Sequence, residues 1–173
     1  MNAGALKKAM LFCGIALEIC EFFPSKTNKQ LRADVHYRFA AASNETNDAQ
    51  ACLKHTKVLL SLRLRASERS GIKDLRLAVA HNEIGIAWVM NGQRERGLAA
   101  FLESISIFEG LDDFIIAMDT NPRNNIAFTH WLMGNLEKAS DAFEELLRDR
   151  ITRFGPDDME SYRLVHNRVL STK

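Results

Sequence analysis

The feature that most constrains this chain is an echo of its own sequence at a fixed distance. Asn82, Ile84, Gly85, Gly92, Gly97 and Phe101 are answered 42 positions later by Asn124, Ile126, Ala127, Gly134, Ala139 and Phe143, without a gap. Self-similarity at such a period marks stacked units, none of which buries its apolar face alone. Each echoed position has a physical reason. Gly85 and Ala127 let one helix approach another closely. Gly92 and Gly134 supply a turn, where positive φ is cheap only for glycine. Gly97 and Ala139 suit a tight crossing, and Phe101 and Phe143 fill the groove beneath it.

A large–small–x–x–large run, a turn glycine, a small residue and an aromatic four positions later together resemble the tetratricopeptide repeat. The usual period of that family is about 34 residues. Eight extra residues add about 12 Å of helix, roughly one turn to each of two helices. This long form is similar to the repeats of kinesin light chains and of many fungal and bacterial relatives. The segments Phe154-Gly155-Pro156-Asp157-Asp158, Gly110-Leu111-Asp112-Asp113 and Gly71-Ile72-Lys73-Asp74 look like the linkers between such repeats. The resemblance implies an all-α fold, a right-handed α-solenoid of antiparallel helix pairs.

Weaker matches extend the pattern outward. Phe39-Ala40 and Asn47–Cys52 align if Asn47 takes the turn and Cys52 the small position, 45 residues before Gly92 and Gly97. Thr56 then stands where the aromatic belongs. Met159–Leu170 matches a first helix alone, and Ala5–Phe23 a second helix alone. The expected map is eight helices, at about 3–22, 31–45, 49–67, 74–91, 94–109, 113–133, 136–153 and 157–170. It forms one array: a half repeat at 1–24, repeats at 31–70, 74–110 and 113–155, and a terminal half repeat at 157–170. Pro122 should kink or restart the sixth helix, with Asn121 as its cap. Terminal half repeats would serve as end caps, or the chain is part of a longer array.

The bulk properties agree with a soluble, all-α, cytoplasmic chain. It has 173 residues, 46% apolar and 26% charged, and a net charge of +1. That balance supplies no basic field for nucleic acid or anionic membrane. Lys7-Lys8 ahead of Ala9–Ile19 superficially resembles a signal peptide, but Glu18 interrupts the run and no small-x-small cleavage site follows. Ala5, Ala9, Phe12, Ala16, Ile19 and Phe23 step by three and four, the stripe of an amphipathic helix. Cys13, Cys20 and Cys52 show no CxxC spacing and read as small core residues.

In the family the chain resembles, the first helix of each repeat lines a concave surface. The matching positions here are Asp34, Tyr37, Ala41, Asn44 and Glu45, then Val79, Asn82, Ile86, Val89 and Met90. The third repeat adds Asn121, Asn124, Phe128, Trp131 and Leu132, and the last helix adds Arg163, His166 and Leu170. Asn82 and Asn124 on one line would offer carboxamides to the backbone of an extended peptide. Ile86, Val89, Phe128 and Trp131 would give pockets for anchoring side chains. Alternatively, the asparagines brace adjacent helices and the apolar side chains cover one another. Related repeats that grip acidic C-termini need Lys or Arg where this chain has Tyr37, Ala41, Asn82, Ile86, Asn124 and Phe128, so a carboxylate clamp is not expected.

Nothing in the sequence carries a catalytic signature. His36, His55, His81, His130 and His166 show no HExxH spacing, and no phosphate loop or GxSxG elbow occurs. His130 takes the position of Trp88 and reads as a partly buried packing residue. The expectation is a scaffold that binds a peptide or protein partner without metal or cofactor. The alternatives are an enzyme or small-ligand receptor whose groove closes into a pocket, and a regulatory array from a larger signalling protein that oligomerises through exposed ends.

Overall fold

A computed structural model describes residues 3–23, 26–111 and 120–155. Among these, every regular element is a helix: α1 (Ala3–Phe22), α2 (Lys26–Glu45), α3 (Ala49–Ser70), α4 (Leu75–Met90), α5 (Arg94–Glu109), α6 (Thr120–Leu132) and α7 (Leu136–Phe154). The 113–119 part of the expected sixth helix, and the expected helix at 157–170 with Arg163, His166 and Leu170, lie outside the described residues.

The three short turns between α2 and α3, α4 and α5, and α6 and α7 share one geometry. Asn47, Gly92 and Gly134 hold left-handed φ angles of 55°, 75° and 78°. One residue on, the amides of Asp48, Gln93 and Asn135 donate five residues back to Ser43, Trp88 and His130, at 2.8, 2.9 and 3.0 Å. These bonds satisfy carbonyls that the helix end leaves without partners. Asparagine tolerates the left-handed region better than other non-glycine residues, so Asn47 substitutes for glycine. Asp48 adds a side-chain cap, accepting from the Ala51 amide at 3.0 Å.

Packing inside each pair follows from small residues at the crossings. A Cβ on Gly85 would stand 2.6 Å from Cδ1 of Phe101, so the ring occupies the space a larger residue would need. A Cβ on Gly97 would meet Val89 Cγ2 at 2.5 Å and the Gly85 carbonyl oxygen at 3.0 Å. In α6 and α7 the same positions carry Ala127 and Ala139, buried around Phe143 and Leu146. Thr56 is fully buried where the aromatic is missing, and its hydroxyl donates to the Cys52 and Leu53 carbonyls at 2.9 and 3.2 Å. That internal bond removes the cost of burying a hydroxyl.

Each helix packs on the next along the chain, and α4 also touches both α2 and α6. Polar side chains tie neighbouring pairs together. Asn91, in the α4–α5 turn, donates to the carbonyl of Ala49 at the start of α3 (2.7 Å) and accepts from Gln50 (2.9 Å). Within one pair, buried Arg63 on α3 reaches Asp34 and Gln30 on α2 at 2.6 and 2.8 Å.

Several expectations need correction. Helix α2 begins at Lys26 rather than 31, and α3 runs to Ser70 rather than 67. Asn121 lies inside α6 rather than capping it, and Pro122 sits in the first described turn. The stripe read from α1 is not the one that packs: Phe12, Ile19 and Phe23 are exposed. Leu6, Met10, Cys13, Leu17 and Cys20 form the covered side of this helix, which packs on α2. No helix among the described residues is long and apolar enough to cross a membrane.

Candidate functional site

Phe128 and Trp131 stand one helical turn apart on α6, 45% and 37% exposed. Their rings stack on each other with centroids 5.3 Å apart and planes 29° apart. Mutual stacking covers one face of each ring, and less than half of each residue's surface remains open to solvent. Large apolar surface in that state is a usual mark of a binding site. Leu132 beside them is half-buried, as is Ile86 on α4.

Val89 is engaged differently. Its Cγ2 fills the space over Gly97, so it locks α4 to α5 and exposes only part of its surface. Met90 packs on the cluster of Cys52, Leu53, Ile84 and Ala87. Tyr37 leans on the cluster of Ala33, Leu59 and Ala80 that joins α2, α3 and α4.

The two asparagines do not form a free ladder. Asn82 is 8% exposed, and its Oδ1 accepts a 2.9 Å hydrogen bond from Nδ2 of Asn125. Its own Nδ2 donates to Glu83 Oε1 at 3.4 Å. Asn124, half-buried, precedes the residue that makes the bond. The carboxamide of Asn82 therefore braces α4 against α6. Asn125 escapes the sequence pattern because only the equivalence of Asn82 and Asn124 is visible there.

The two bracing positions have sequence equivalents one repeat earlier. Tyr37 lies 45 positions before Asn82, and Glu83 lies 42 before Asn125. Glu83 is close enough to Tyr37 and Cys52 for its charge to raise both their pKa values, behind the larger effect of burial. Burial also raises the Glu83 carboxyl, opposed by its hydrogen bond from Asn82. Cys52 reaches about 11, which keeps it a thiol. The seam between α2 and α4 thus holds a poorly hydrated acid where the seam between α4 and α6 holds a carboxamide.

A second polar cluster lies between α2 and α3. His36 and His55 face each other with Nδ1 atoms 2.9 Å apart, and Phe39 stacks on His55 at 4.4 Å. One Nδ1 must donate and the other accept, so the pair requires opposite tautomers. Burial, then the charges of His55, Arg32 and Lys54, push His36 down to about 4. Burial and Lys54 lower His55 as well. His130 is half-buried, as its equivalence to Trp88 suggests. Trp88 itself is flanked by Lys57 and Arg96, 4.9 and 5.0 Å from its ring centre.

Among the described residues no three His, Cys, Asp or Glu side chains gather as metal ligands would. Cys13, Cys20 and Cys52 are free thiols, the last two buried. A cavity of about 490 Å³ opens between α5, α6 and α7, floored by Ile105, Ile126 and Leu146 and rimmed by Glu109, Arg123 and Arg153. Among the described residues, none of those expected to bind a partner lines it. No family model matches the chain, and no curated protein matches it.

Proposed function

We propose that the chain is a non-enzymatic binding module that docks a peptide segment or partner protein on the surface shared by α2, α4 and α6. In this reading the helix pairs belong to a right-handed, tetratricopeptide-like solenoid. Three turns of equal geometry and the contacts of α4 with both α2 and α6 support it. The observation that carries the binding role is the stacked, exposed pair Phe128 and Trp131. Paired aromatics with little conformational freedom are good anchors, because they gain contact area at small entropic cost.

The chemistry of that surface favours an apolar anchor on the ligand. Phe128 and Trp131 receive it, with Ile86 on the neighbouring helix. Asn82 holds the helices in register for the site instead of meeting the ligand. Tyr37, Asn124, Arg163 and His166 remain candidates for polar contacts.

The test is a hydrogen-exchange footprint of the intact chain with a peptide selected from a random display library. Slowed exchange confined to α2, α4 and α6, with the strongest effect near Phe128 and Trp131, is the expected result. Protection confined to α5 and α7 would move the site to the opposite cavity and refute the proposal.

A further inference from the structure

Helix α1 is apolar on two sides, and only one of them is covered within the chain. Leu6, Met10, Cys13, Leu17 and Cys20, spaced by four and three residues, form the side turned to α2. Leu11, Phe12, Ile15, Ile19, Phe22 and Phe23 form the other and stand exposed, Phe12 at 67% and Phe22 at 83%. A helix that is apolar all round is ordinarily enclosed. A contiguous patch of this kind marks an interaction surface.

We infer that this outer face of α1 pairs with the same face of a second copy of the chain, the two helices running antiparallel about a two-fold axis. Two properties select this occupant. The first is area. Phenylalanine side chains bury about 150–250 Å² each, so three of them at exposures of 62–83% offer roughly 300–500 Å² per copy. Leu11, Ile15 and Ile19 raise this towards the ~800 Å² per partner of a standard interface.

The second is charge. Lys8 projects on the apolar face near the N-terminal end of α1, and Glu18 borders it towards the other end, both exposed. The helix has no acidic residue in its first turn and no basic residue in its last. Its own negative C-terminal dipole is therefore left without a cation. An antiparallel pair with Ile15 on the axis sets Leu11 opposite the partner's Ile19. Lys8 then lies against the partner's last turn, one helical turn from the partner's Glu18. A parallel pair would instead bring like charges together. Self-complementarity under a two-fold operation is what an isologous dimer requires.

The pairing is tested by sedimentation equilibrium of the full chain over a wide concentration range. Wild type is expected to dimerise, and Ile15→Glu, which places two carboxylates on the axis, to raise the dimer dissociation constant by on the order of 100-fold. Ile15 is exposed, so circular dichroism of this variant should match wild type. Lys8→Glu should weaken the dimer about tenfold, and Lys8→Glu with Glu18→Lys should restore it. A monomeric wild type overturns the inference, including one that binds lipid vesicles through α1. So does a dimer indifferent to Ile15→Glu, and a charge swap that fails to restore association overturns the antiparallel arrangement.

Discussion

Cδ1 of Phe101 lies 2.6 Å from the point where a Cβ on Gly85 would stand. The ring of α5 uses the absence of a side chain on α4, and 42 residues later Phe143 sits against Ala127 instead. The two repeats therefore share a plan, with the aromatic equally buried in both but set against glycine in one and alanine in the other. Gly85→Ala gains about 1 kcal/mol of helix propensity, yet overpacking by one methyl costs about 1–3 kcal/mol. A net loss of about 1 kcal/mol is expected in urea unfolding. Phe101→Leu in the Gly85→Ala background should recover part of it, whereas Phe101→Leu alone should destabilise.

The left-handed turns predict an ordered series. Gly92→Ala and Gly134→Ala each force a Cβ into a positive-φ site and should cost about 1–2 kcal/mol. Asn47→Ala should cost a similar amount. Asn47→Gly should change stability by only a few tenths of a kcal/mol, because the site already accepts the left-handed conformation. Thermal unfolding followed by circular dichroism ranks the four.

These positions also show what the sequence makes legible. The turn at Asn47, the small residues at 85, 97, 127 and 139, and the aromatics at 101 and 143 each follow from a local steric need, so the pattern exposes them. The start of α2 is hidden because Lys26, Thr27, Asn28, Lys29 and Gln30 contain no apolar residue to reveal a period. The choice between the two stripes of α1 is hidden because both are apolar and only packing against α2 separates them. The Asn82–Asn125 bond is hidden for another reason: it joins non-equivalent positions of successive repeats, and the echo displays only equivalent ones.

That bond separates bracing from ligand contact. Asn82→Ala and Asn125→Ala should each lower stability by about 1 kcal/mol, and a double-mutant cycle should give a coupling of about 0.5–1.5 kcal/mol. Absence of coupling would show that the carboxamides act independently of one another.

The His36–His55 pair sets a pH dependence. His36 has a folded pKa of about 4, below the usual 6.5, so the unfolded chain binds the proton first as pH falls. Stability should be complete above about pH 6.5 and should decline as pH falls towards 4. His55, His81 and His130, all lowered, act in the same direction. Glu83, raised by burial, acts in the opposite one, favouring the folded state at lower pH. Urea midpoints measured across this window should fall with pH for wild type and fall less for His36→Leu.

The proposed binding role rests on Phe128 and Trp131, and the affinity of the intact chain for a selected peptide tests it most directly. Both residues are more than half covered, so Phe128→Ala with Trp131→Ala should keep the helical signal but lower the melting temperature, and the titration is run well below that transition. Two anchors worth more than about 1 kcal/mol each predict at least a roughly 30-fold loss of affinity in a calorimetric titration. Equal affinities for wild type and the folded double variant would contradict the account.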